Sequence, residues 1–235
     1  MSIDGFLVPP IFNIESETAA VDALRKYFTV NGVPAFSGSR FERFAGGGDR
    51  TEVADEFTSD DLVAVTLLSV DIPGQAALRI TSDNDSSYAA SVGEQLRLLP
   101  TDVELVDADD ELLSTAEKLW TLLRDNRGVG TTKTSKLLAR KRPHLLPVID
   151  SVVKRAVGHN PRRHNFYRNL RAALTADDRR LHARLIEIRD DAEIGDDISA
   201  IRVFDILAWM WGSGRTLLDP ERGELSARPS AEDGK

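Results

Sequence analysis

Apolar residues recur along this chain at helical rather than strand spacing. Between residues 17 and 28, Ala20, Val21, Leu24 and Phe28 share one face, with Ser16 placed to cap the helix and Asn31-Gly32-Val33-Pro34 placed to stop it. Thr58 or Ser59 caps a second helix expected to run through Val70, apolar enough to lie at the centre of a core. Pro73 opens a short helix to about Ile80, and another is expected from about Tyr88 to Leu98. Residues 110–123 carry Leu112, Leu113, Ala116, Leu119, Trp120 and Leu123 at helical spacing. Beyond them the pattern predicts helices near 131–140, 151–157, 164–174, 178–189 and 198–211. Residues 103–106 are short and apolar and read as a strand or an extended connector. No run alternates convincingly with the period of a strand, so the expectation is an all-α protein of nine or ten helices. Residues 1–57 are read as an N-terminal helix and loops packing on the core, 58–214 as the main helical domain, and 215–235 as a flexible tail without aromatics.

Charge changes this picture more than composition does. The 235 residues carry a net charge of −8, which by itself argues against a polyanionic partner. Residues 118–184, however, hold 17 Lys and Arg against 4 Asp and Glu, a local +13, and all four histidines. The remainder sums to −21. Local charge sets the field that a nucleic acid meets, unless these cations pair with the acidic remainder inside the fold. The absence of cysteine excludes disulfides, thiolate zinc and cysteine-held iron–sulfur clusters. The longest apolar stretch, residues 62–70, is interrupted by Thr66 and Ser69 and is too short to span a bilayer. The acidic start MSIDGF lacks the pattern of a secretory signal, so a cytoplasmic protein with no membrane partner is expected.

The chemistry concentrates between Asn126 and Val153. Gly128-Val129-Gly130 permits a tight turn between two helices, with Val129 plugging the pair. The helix after Gly130 then offers unpaired N–H groups and a positive dipole end to a phosphate, helped by Thr131, Thr132, Lys133 and Lys136. An ordinary helical corner with a glycine cap reads the same way locally. Pro143 and Pro147 enforce an extended connector that delivers Asp150 to the start of the next helix. Asp150 can serve as N-cap, as a carboxylate at a cleft edge, or as both. Lys154, Arg155, Arg162, Arg163, Arg168 and Arg171 read either as a solvated face or as contacts to a second strand of phosphates. The triple glycine 46–48 lacks the Lys-Ser/Thr of a phosphate loop and reads as a flexible connector, with Arg40 and Arg43 beside it. His159 and His164 have no metal-ligand spacing, so no metal site is expected.

The stretch Asn126-Arg127-Gly128-Val129-Gly130, a helix, then Ile149-Asp150-Ser151-Val152-Val153 resembles the helix-hairpin-helix segment of the DNA glycosylase superfamily typified by endonuclease III and MutY. The family's essential aspartate also stands twenty residues after its second hairpin glycine. The resemblance covers about 28 residues, and the helical context extends it loosely over 58–212. It implies a multi-helix glycosylase-like fold, duplex DNA as partner, and Asp150 as the catalytic carboxylate in excision of a damaged or modified base. Family members that also cleave the backbone carry a lysine where this chain has Thr132; Lys133, one place on, points about 100° away. The resemblance therefore implies base removal without strand cleavage. Val152 stands where the family has histidine. A flipped base needs apolar or aromatic walls, for which Trp120, Phe166, Tyr167, Trp209 and Trp211 are candidates, although helix-spaced aromatics also build cores. No cofactor is expected; a monovalent cation on the hairpin's backbone carbonyls is the one candidate. The alternative function is a non-catalytic DNA- or RNA-binding module on the same scaffold.

Overall fold

Short acceptor side chains set where most helices of this chain begin. The structure is a computed structural model that describes residues 2–3, 6–28, 35–160 and 165–216. Among the described residues it contains α1 (Glu17–Phe28), α2 (Ser59–Thr66), α3 (Gly74–Ile80), α4 (Ser86–Arg97), α5 (Asp110–Arg124), α6 (Thr131–Lys141), α7 (Ser151–Ala156), α8 (Phe166–Ala192) and α9 (Ala200–Gly212). Thr58 and Asp61 form a reciprocal capping box on α2. Asp85 accepts from the Tyr88 N–H on α4, Asp109 from Leu112 on α5, and Ser199 from Arg202 on α9. The protein is mostly helical, as the periodicity predicts. None of these helices is long and apolar enough to cross a membrane.

Four expectations are adjusted. Ser16 closes a 3-10 turn, Ile14–Ser16, that leads into α1. The second helix ends at Thr66 rather than Val70, because its last turn tightens into 3-10 bonds and Ser69 adopts a left-handed φ of 62°. Residues 103–106 are no strand: Leu105–Asp107 form a 3-10 turn, with the Leu105 N–H donating to the His144 carbonyl. The only strands among the described residues are two-residue segments, β1 (Ser2–Ile3) and β2 (Phe6–Leu7), paired antiparallel. The two helices expected at 164–174 and 178–189 are joined as α8, broken where Ala176, Asp177, Asp178 and Arg179 leave helical geometry. The expected helix stop at 31–34 and the tail beyond 216 lie outside the described residues.

One hydrophobic cluster runs from Phe6 to Met210, so α1 and the loops before α2 share the core of the later helices. Helix α1 packs on α8 and α9, α2 on α6, α5 on α4 and α6, and α7 on α9. A run of buried cations ties the two parts together. Arg140 meets Asp61 and donates to the carbonyls of Phe41, Glu42 and Phe44 at 2.6–2.8 Å. Lys141 pairs with Asp61 at 2.6 Å and donates to Gly48 and Val53. Arg142 reaches Asp55 and the carbonyls of Ala54, Leu96 and Leu99. Loop backbone that would otherwise be buried without donors is satisfied this way. The triple glycine is accordingly no flexible connector: Gly48 is buried, and a Cβ there would fall 2.5 Å from the Arg140 carbonyl oxygen.

Candidate functional site

The hairpin between α5 and α6 is built around Asn126 and Val129, both buried. The Asn126 amide donates to the Tyr88 hydroxyl and the Leu123 carbonyl, while its oxygen accepts from Arg79, so the turn is fixed to α3 and α4. Gly128 has a φ of 81°, and a Cβ there would lie 2.8 Å from Pro73. Gly130 differs: its backbone is extended and open, and it caps α6 with no side chain to occupy the first N–H groups. The hairpin is thus a rigid turn ending in an uncapped, accessible helix start.

Two cavities open beside this turn, one touched by Thr131 and the other by Thr132 and Lys136. The latter is a cleft of about 460 Å³ whose lining includes Thr132 and Lys136 of α6, Leu67–Val70, Asp150, Tyr27, Phe36, and Arg202, Asp205 and Trp209 of α9. Asp150 is both things the sequence allowed. Its Oδ1 accepts the N–H groups of Val152 and Val153 at 2.8 Å, and the residue also opens onto this cleft. Both capping bonds land on Oδ1, so Oδ2 accepts no hydrogen bond among the described residues.

The connector that delivers Asp150 is pinned on two sides. Ser135 of α6 donates from Oγ to the Ile149 carbonyl and accepts the Ile149 N–H. Asp205 of α9 accepts the Val148 N–H at 3.1 Å and pairs with Arg202. Burial pushes the Asp205 carboxyl up to about 7, against the pull of Arg202. Arg202 also contacts Glu42 and donates to the Tyr27 hydroxyl, whose own value burial raises to about 12. The cleft therefore rests on a buried polar network, with Asp150 at its edge. Its wall is aromatic: Tyr27 stacks on Phe36 at 5.2 Å, and Trp209 meets Phe36 edge-on at 5.8 Å.

The chain belongs to a family of unknown function (DUF6308). The family model matches residues 20–212, which include the hairpin, the connector and the cleft lining named above. No curated protein and no solved structure matches the chain.

Within this family member, the residues singled out from the sequence divide into separate places. Asp150, Thr132, Lys136 and Trp209 come together at the cleft. Trp120, Tyr167 and Phe166 line the second cavity with Thr131, on another side of α6. Lys136 is corrected from a surface phosphate contact: it is buried, donates to the Leu68 carbonyl at 2.6 Å, and burial lowers its pKa. The +13 segment is partly neutralised by the fold, by buried latches and by pairs on the surface. Arg140, Lys141 and Arg142 are latches, Arg168 and Arg171 pair with Asp110, and Arg179, Arg180 and Arg184 pair with Asp107, Asp177 and Glu17. Arg43 pairs with Asp197. What stays without an ion pair among the described residues includes Arg124, Arg127, Lys133 and Lys154, at or near the hairpin, and Arg155 on α7. Arg162 and Arg163 lie outside the described residues.

Tyr27, Phe36, Arg202 and Asp205 were not singled out from the sequence. Arg202 and Asp205 did leave a signal: two opposite charges three residues apart in the otherwise apolar run of α9. Tyr27 and Phe36 left none, because only the fold brings α1 and the following loop to α9.

Proposed function

We propose that this protein binds duplex DNA at the α5–α6 hairpin and removes a damaged or modified base by hydrolysis of its N-glycosidic bond, assisted by Asp150. The observation that carries this reading is the position of Asp150: on the edge of a cleft of about 460 Å³, beside Thr132 of the hairpin helix and facing a wall of Tyr27, Phe36 and Trp209. An extruded base needs such a wall to replace the stacking it loses. As the bond between C1′ and the base nitrogen breaks, the base leaves with the electron pair and takes up a proton. Positive charge develops on the sugar, and water adds its oxygen to C1′. A fixed carboxylate favours that cation more than the neutral ground state, which is the condition for catalysis. The unpaired cations around the hairpin supply the phosphate contacts. Thr132 in place of a lysine keeps the reaction at base removal.

The test is base release from duplexes carrying deaminated, alkylated or oxidised bases, measured by chromatography of the free base. Asp150→Asn should lower the release rate about 10²–10³-fold while duplex affinity changes little. It keeps an oxygen able to cap α7, whereas Asp150→Ala should also cost about 1 kcal/mol of stability. Release undiminished in Asp150→Asn would remove Asp150 from the chemistry. Duplex binding with no release from any substrate would instead assign the scaffold to binding alone, a role that the capping bonds of Asp150 also fit.

A further inference from the structure

The second cavity is not used by the chemistry proposed above. It measures about 370 Å³ and lies between α5, the first residue of α6, α7 and the start of α8. Trp120, Phe166, Tyr167 and Ile149 form its apolar wall, with Trp120 and Tyr167 edge-to-face at 5.9 Å; the polar lining includes Thr121, His159 and Glu117, whose carboxylate is paired with Arg168. The Tyr167 hydroxyl is buried with no hydrogen-bond partner among the described residues. A buried hydroxyl without a partner is uncommon, and a ligand in the adjoining cavity is one way to supply one.

The opposite character appears where α5, α6 and α7 meet. Arg124 and Lys154 both line the cavity and repel one another; burial, and then Arg124, lower the Lys154 pKa. Neither makes an ion pair among the described residues. Thr131 brings the uncapped start of α6 to the same place. Two unpaired cations and a helix start converge on a position that an anion would relieve. The volume is near the lower end of the range for small-molecule sites, room for one ring system and its substituents rather than a dinucleotide.

We infer that this cavity binds a mononucleotide, its heterocycle against Trp120, Phe166 and Tyr167 and its phosphate against Arg124, Lys154 and the first turn of α6. The site uses neither the Asp150 carboxylate nor the cleft, but it shares Arg124, Lys154 and the start of α6 with the duplex contacts proposed above, so a mononucleotide and a duplex would compete for these groups. A free nucleoside monophosphate and the phosphorylated end of a short strand present the same chemistry.

The experiment is calorimetric titration of the full-length protein with AMP, GMP, CMP and UMP, with the corresponding nucleosides, and with a 5′-phosphorylated hexanucleotide. At least one mononucleotide should bind, about tenfold or more tighter than its nucleoside. Arg124→Ala combined with Lys154→Ala should remove that advantage. Tyr167→Phe should weaken binding about tenfold while the melting temperature holds or rises, because it deletes a hydroxyl that is unsatisfied without ligand. A purely structural Tyr167 would change stability and leave affinity alone. If only the hexanucleotide binds, with the same dependence on Arg124, Lys154 and Tyr167, the source is a strand end. No binding of any phosphorylated probe at about 1 mM, or binding indifferent to these three side chains, would overturn the assignment.

Discussion

At the C-terminal end of α6, Arg140, Lys141 and Arg142 point into the protein and spend their donors on Asp61, Asp55 and the carbonyls of the loops before α2, of the last turn of α4 and of Leu99 just after it. At its N-terminal end, Lys133 stands with Arg127 and Arg124 around the hairpin, none of them ion-paired among the described residues. In the sequence both ends are simply basic. The fold turns one into internal scaffolding and leaves the other available to a partner. A charge count over 118–184 therefore overstates the field outside the molecule.

The largest effect that should separate the two ends is on stability. Arg140→Ala leaves Asp61 with Lys141 as its one cationic partner beside the Thr58 cap, and strips the donors from the carbonyls of Phe41, Glu42 and Phe44. Removing one partner of a buried, hydrogen-bonded charge pair costs about 3–5 kcal/mol. Chemical denaturation should show a loss of that size; a loss below about 1 kcal/mol would mean that these cations are not the latch described.

A smaller contrast lies inside the hairpin. Gly128→Ala puts a Cβ on a residue with a φ of 81° and drives it against Pro73, and should cost about 1–2 kcal/mol. Gly130→Ala meets no atom within 4 Å on an extended backbone and should change stability by less than about 0.5 kcal/mol. Stability should thus depend on the first glycine and not on the second. If the second glycine keeps the start of α6 open to a phosphate, Gly130→Ala should weaken duplex binding, measured by fluorescence anisotropy, with the melting temperature unchanged. Equal stability costs at both positions would reduce the pair to a structural corner.

How much of this was legible depends on what each residue's role requires. Helix placement was local: the apolar spacing of α5 and α9 and the caps at Thr58 and Asp150 are readable because their causes lie within a few residues. The end of α2 was missed because Leu67–Val70 turn away to line the cleft, a tertiary demand. Asp150 stands out in the sequence by its spacing to Gly130, but the connector that places it is held by Ser135 at Ile149 and by Asp205 at Val148, across 14 and 57 residues. The direction of a cation was the least legible property. Lys133 and Lys136 are three positions apart on one helix, and only the packing of Leu68 against α6 sends the second inward.

The smallest stability effect should accompany the clearest binding effect. Lys133 and Arg127 make no ion pair among the described residues, so Lys133→Ala and Arg127→Ala should each leave stability within about 0.5 kcal/mol. If each side chain meets one phosphate, its removal should lower the slope of log affinity against log salt by about 0.9. Arg171→Ala serves as the contrast: its guanidinium is held by Asp110 at 2.6 Å and by the Ala108 carbonyl, so the slope should not move. Because the whole chain is acidic, with a net charge of −8, distant attraction would contribute little, and the proposed binding would rest on the few cations the fold leaves without an ion pair. Equal slopes for Lys133→Ala, Arg127→Ala and the unaltered protein would mean that the N-terminal end of α6 is no more available to nucleic acid than its buried end.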